Sequence, residues 1–127
     1  QESIIKLMQG EGVDVIIGTH PHRVQKVDFN QEKGTLVAYS LGDFFGDATA
    51  GGSNYSIILD IEITKDANAG ITRVTNYSYT PIYTGREGEV VGNKDRRVVR
   101  IEKALEAYED NFLDKVTDAT AQGNALG

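Results

Sequence analysis

An α+β fold, rich in strand and closed by a helix, follows from three patterns in the 127-residue sequence. Between Tyr55 and Ile63, Tyr55, Ile57, Leu59, Ile61 and Ile63 fall on every second position, the period of a strand with one buried face. Two apolar segments, Val24 to Phe29 and Thr35 to Ser40, flank the turn-forming Asn30-Gln31-Glu32-Lys33-Gly34, which predicts an antiparallel hairpin. From about Asp95 the spacing lengthens: Val98, Val99, Ile101, Leu105, Tyr108, Phe112 and Val116 recur as on one face of a helix. The length suits a single core, so residues 1–116 are expected to form one domain, with the helix over about 95–116 and a flexible tail over 117–127.

The remaining elements follow in order. Ile4, Ile5, Leu7 and Met8 share a helical stripe that Gly10 or Gly12 would stop. No capping residue precedes it, and the chain is therefore expected to be part of a longer one. Val13 to Ile17 is a short apolar run bounded by glycines, the pattern of a strand buried on both faces. Residues 46–54 are small and turn-forming and read as a mobile loop. Ile71 to Thr84 reads as a strand pair or one long bent strand, interrupted by Pro81, which has no N–H for a central ladder. Asn93 or Asp95 would cap the last helix.

Charge excludes some functions. Thirteen Lys+Arg against 19 Asp+Glu leave a net charge of −6, which opposes a nucleic acid or an anionic membrane as partner. No run approaches the roughly 20 apolar residues of a membrane span. With no Cys, there is no disulfide, thiolate ligand or thiol nucleophile, so metal chemistry would use His and carboxylates.

Both histidines of the chain lie in Gly18-Thr19-His20-Pro21-His22, directly after the apolar strand. Pro21 disfavours helical backbone at His20, and in an extended segment the two rings would project to one side, about 6.6 Å apart along the backbone. Such a pair can chelate one ion, give one ligand to each of two ions, or simply sit in a surface loop with a ring bonded to a carbonyl. A metal site would need further ligands, for which Asp43 and Asp47 are candidates.

Gly12 to Ile17 followed by Gly18-Thr19-His20-Pro21-His22-Arg23-Val24-Gln25 resembles the GADVVIGHHPHVxQ segment of bacterial capsule-synthesis, poly-γ-glutamate (CapA-like) proteins. Tyr39-Ser40-Leu41-Gly42-Asp43-Phe44 resembles their YSLGNF. The likeness covers about residues 1–65 and fades after Thr84. Thr19 and Asp43 stand where the family often has His and usually has Asn. Asp43 reads as a turn cap, with contact to a cation as the other reading.

The resemblance implies the β-rich C-terminal part of a four-layer αββα metallophosphoesterase-like sandwich. It also implies that His20 and His22 complete a dinuclear site whose other ligands lie upstream of Gln1. The parent would then be a metal-dependent hydrolase or transferase binding divalent ions, and this segment alone would be catalytically silent. Arg23 and Gln25 become candidates for substrate contact, Arg23 in particular for an anionic polymer. The family implies capsule or poly-γ-glutamate synthesis at the bacterial cell surface or outside it. A non-catalytic polymer-binding or scaffold module is the alternative. Partners expected are the polymer, the upstream half of the same protein, and a second copy by strand exchange at Val13 to Ile17.

Two further features have plainer explanations. Arg96, Arg97, Arg100 and Lys103 suggest an anion-binding face but read as the solvated side of the last helix. Tyr77, Tyr79 and Tyr83 suggest a binding platform but are residues that strands favour anyway.

Overall fold

A computed structural model describes residues 1–46, 51–85 and 96–109. The described elements are α1 (Glu2–Gly10), β1 (Val15–Ile17), β2 (Val27–Asn30), β3 (Thr35–Ala38), β4 (Tyr55–Asp66), β5 (Ile71–Gly85), β6 (Arg97–Arg100) and α2 (Ile101–Glu109). They form two three-stranded sheets, ordered β1-β3-β2 and β4-β5-β6, with two short helices, an α+β arrangement.

The expected hairpin is present. β2 and β3 run antiparallel, with Phe29 opposite Leu36, and their turn closes by the Gly34 N–H donating to the Asn30 carbonyl at 2.8 Å. The other edge of β3 takes β1 in parallel, Ile16 opposite Val37. β3 is thus the middle strand, and Leu36, Val37 and Ala38 are all buried. Leu36 and Ala38 form one core with Val74 of β5, and Leu59, Ile61, Phe29 and Tyr77 pack around it. The alternation read in β4 therefore faces this core. Leu59 and Ile61 reach it, whereas Ile63, nearer the turn, is 58% exposed.

β1 departs from the sequence reading. Position at the sheet edge leaves it only partly covered, with Ile17 49% exposed, so it is not buried on both faces. An apolar run signals burial in general, and the topology decides how much of it each strand receives. Helix α1 lies where expected, but Ile4 and Leu7 on its apolar stripe are exposed among the described residues.

Residues 71–85 form one strand, and its Pro81 is tolerated for a geometric reason. The Thr84 N–H bonds the Asn54 carbonyl at 2.9 Å, so even-numbered residues at this end of β5 donate toward β4. Antiparallel ladders alternate, and the Pro81 nitrogen therefore faces the β6 side, where pairing stops at Ile82 opposite Arg100. No ladder bond is lost. Farther along, Glu62 pairs with Asn76 but Ile63 pairs with Val74, leaving Thr75 as the extra residue of a bulge. Its Oγ1 donates to Glu62 Oε1 at 2.6 Å. The bulge breaks the period of two, which is how Val74 and Tyr77, three residues apart, both reach the core.

The helix expected over about 95–116 needs correction. Residues 97–100 are β6, antiparallel to β5, with Val99 opposite Tyr83, and α2 begins only at Ile101. Arg-Val-Val-Arg fits either state locally, and pairing with the open edge of β5 satisfies backbone groups that an exposed helix start would leave to water. The candidate caps Asn93 and Asp95, the stretch 110–116 and the tail 117–127 lie outside the described residues. In the loop read as mobile, Ser53 and Asn54 are buried, and Asn54 Nδ2 donates to the Thr84 carbonyl at 2.9 Å. Two of the three tyrosines are packing residues, Tyr77 meeting Phe29 edge-on at 5.5 Å and Tyr83 lying 5.1 Å from Tyr55, whereas Tyr79 is exposed.

The β4–β5 turn is capped by Asp66, whose Oδ1 accepts the N–H groups of Asn68 (2.9 Å) and Ala69 (3.0 Å). These backbone donors, Ala69 foremost, hold the Asp66 carboxyl below its ordinary value of 3.8. A depressed carboxyl stabilises the fold above its unfolded pKa and loses that contribution as pH falls through the folded one. Relative to Asp66→Asn, which accepts the same bonds without titrating, the wild-type chain should therefore lose stability as pH falls below 3.8. Urea midpoints of both proteins across the acid range would show it, and parallel curves would refute it.

Candidate functional site

The histidine loop is built on the end of β1. Gly18 extends the β1–β3 ladder on both sides: its N–H donates to the Ala38 carbonyl at 2.8 Å and its carbonyl accepts the Leu41 N–H at 3.2 Å. The backbones approach so closely here that a Cβ on Gly18 would collide with the Tyr39 carbonyl oxygen. Glycine is required by proximity. The chain then folds into a turn over Pro21, closed by the His22 N–H donating to the Thr19 carbonyl at 3.1 Å. His22 adopts φ +55°, the only non-glycine with positive φ among the described residues. The extended geometry expected for His20-Pro21-His22 is thus replaced by a turn, yet the rings are still neighbours, with centroids 6.3 Å apart.

Asp43 arrives from the other direction. After β3 the chain passes through two isolated bridges: Leu41 to Val24 prolongs the β2–β3 hairpin, and Gly42 to Ser56 ties the first sheet to the second. Gly42 has φ +77° and lies against the Tyr55 carbonyl and Ser56, so a side chain there would be excluded twice over. The adjoining carboxylate of Asp43 takes the His22 ring: Nδ1 lies 2.8 Å from Oδ1 and 3.0 Å from Oδ2. Among the described residues, Asp43 bonds the His22 ring and no backbone N–H of a turn. The hydroxyl of Ser40 caps the turn instead, its Oγ accepting the Gly42 N–H at 3.3 Å.

His22, Arg23 and Asp43 line an open cleft of about 1280 Å³, whose other walls include Phe44, Phe45, Ser56 and Ile58. Gln25 is not part of this lining: its backbone N–H bonds the Ser40 carbonyl and its side chain is exposed. Asp47 lies outside the described residues. Of the cationic cluster, Arg97, Arg100 and Lys103 are exposed. Lys103 pairs with Glu106, which raises its pKa, and Arg96 donates to the Gly46 carbonyl at 2.6 Å. Phe44 and Phe45, 58% and 61% exposed, were not singled out in the sequence. The available signal was two consecutive aromatics after Gly-Asp, which a strand sends to opposite faces.

Spacing tests how the two imidazoles suit a metal. With a metal–nitrogen bond of about 2.1 Å, two rings on one tetrahedral ion would have centroids about 5.2 Å apart. The observed 6.3 Å is wider, so in this turn the rings are not set to share one ion. Among the described residues no group of three or more His, Cys, Asp or Glu is placed to hold an ion. The donor pair fits a metal but is only part of a ligand set.

Residues 1–48 match the family of the bacterial capsule synthesis protein PGA_cap. The match supports the CapA-like resemblance and contains His20, His22, Arg23, Gln25 and Asp43. No match emerges among curated proteins or among solved structures.

The approach at Gly18 makes the loop testable. Gly18→Ala should part β1 from β3 and destabilise the fold by about 1–3 kcal/mol, the range for overpacking. Gly10→Ala, where a Cβ meets nothing within 4 Å, should leave stability unchanged or raise it by up to about 1 kcal/mol. Denaturant midpoints of the two variants check this, and equal midpoints would refute the constraint.

Proposed function

We propose that this chain acts in bacterial capsule synthesis as part of a metal-dependent enzyme of metallophosphoesterase-like fold, with His20 and His22 as two ligands of a dinuclear centre. The observation that carries this reading is the turn between Thr19 and His22, which holds the two imidazoles 6.3 Å apart with His22, though not His20, lining an open cleft. The family match over residues 1–48 supports the capsule role. The remaining ligands would come from upstream in the same protein.

A pair of divalent ions would supply an acidified water and stabilise charge developing on a phosphoryl-like or acyl-like group. The chain's own residues do the rest. His20 and His22 offer nitrogen donors from the turn over Pro21. Arg23, exposed on the cleft wall, suits the carboxylates or phosphates of an anionic polymer. Gln25, outside the cleft lining, is the weaker candidate for substrate contact. By the same reading the protein works at or outside the bacterial cell surface.

Phe44, Phe45 and Arg23 on the cleft favour a second reading, a non-catalytic module that holds polymer during capsule assembly. The readings separate in the full-length protein. A metalloenzyme should contain stoichiometric metal that falls in His20→Ala and His22→Ala, with activity reduced at least 100-fold. Unchanged metal content and activity in both variants would leave the polymer-binding module.

The exposed stripe of α1 and the edge position of β1 support a partner for this side of the molecule, either the upstream part of the protein or, in its absence, a second copy. Sedimentation of the 127-residue chain should show concentration-dependent dimers; a single monomeric species at high concentration would exclude self-pairing.

A further inference from the structure

Asp43 and His22 are 21 residues apart, and the chain uses two glycine-dependent close approaches, at Gly18 and Gly42, to bring them together. The contact is specific to one nitrogen. Both carboxylate oxygens lie on Nδ1, at 2.8 and 3.0 Å, and among the described residues nothing bonds Nε2. An ionised carboxylate can only accept, so the bond requires the ring proton on Nδ1. A neutral imidazole then carries its lone pair on Nε2, the atom a cation needs. The His22 side chain is 65% exposed and lines the cleft, while that of Asp43 is only 21% exposed beneath it. For stability, an ion pair this open to water counts for little. Its consequence lies in orientation. The backbone of His22 is also constrained, by φ +55° and by its N–H bond to Thr19, so both ends of the residue are held. Backbone strain tied to a directed side chain is a feature of sites that must present one atom in one place.

We propose that Asp43 is a positioning residue for His22: it holds the imidazole as the Nδ1–H tautomer and leaves Nε2 as the donor atom for a divalent cation. The inference rests on the metal reading of His22, and its test separates the two. In ¹⁵N-labelled protein at mildly alkaline pH, long-range proton–nitrogen spectra report which nitrogen of His22 carries the proton. The wild-type chain should show it on Nδ1. Asp43→Ala should give a mixture of tautomers, and Asp43→Asn, whose amide oxygen still accepts, should restore the wild-type form. Titration of the same samples with Zn²⁺ should shift His22 Nε2 and weaken about 10–100-fold in Asp43→Ala, less in Asp43→Asn. Unchanged amide spectra away from the loop establish that the variants are folded.

A proton on Nε2 in the wild-type chain, or the same tautomer and the same Zn²⁺ affinity in Asp43→Ala, overturns the role of Asp43. An Asp43-dependent Nδ1–H tautomer with no Zn²⁺ response at His22 upholds the positioning of the ring and counts against the metal reading instead.

Discussion

Strand β3 is the constraint on which the other parts depend, because it is engaged on both edges and on a face at once. Its edges carry β1 in parallel and β2 in antiparallel sense. Through Leu36 and Ala38 it packs on Val74 of the second sheet. Its C-terminal continuation does the functional placing: the Ala38 carbonyl and the Leu41 N–H clamp Gly18, and two residues later Asp43 emerges beside His22. The histidine loop and the carboxylate that meets it are therefore read out from one strand. A change in the packing of Leu36 or Ala38 would move both together, so site geometry and core stability are coupled.

The family match and the cleft do not coincide. Residues 1–48 carry both loops of the candidate site, yet Ser53, Ser56, Ile57 and Ile58 also line the cleft. Those residues belong to the turn before β4 and to β4 itself, outside the matched segment. The histidine loop and Asp43 thus lie within the segment that matches the family. The opposing wall lies beyond the matched segment.

Local chemistry made much of this legible in advance. The hairpin around Gly34, the alternation from Tyr55 to Ile61, and the histidines placed after an apolar strand each depend on residues close in sequence. What the sequence concealed depends on partners far away. Val98 and Val99 fit a helical period as well as a strand, and only the open edge of β5 decides between them. Thr75 gives no sign that it will bulge, although the bulge alone lets Val74 join Tyr77 in the core. The apolar run of β1 reports that it is covered but not that one edge stays open. Asp43 has the composition of a turn cap, and its real partner is brought in by the parallel pairing of β1 with β3.

The long hairpin of β4 and β5 extends beyond this core. From Glu62 through Arg73 every residue is exposed, Ile63 and Ile71 included. β6 covers β5 only from Ile82 to Gly85, so the distal ladder is a two-stranded ribbon among the described residues. Such a ribbon is only marginally stable by itself. Its outer amides can exchange with water through local fraying, at a free-energy cost well below that of unfolding the core. The tip, where Asp66 organises an exposed turn, is correspondingly the place where the chain can accept an inserted peptide or a label with least effect on the cleft at the other end.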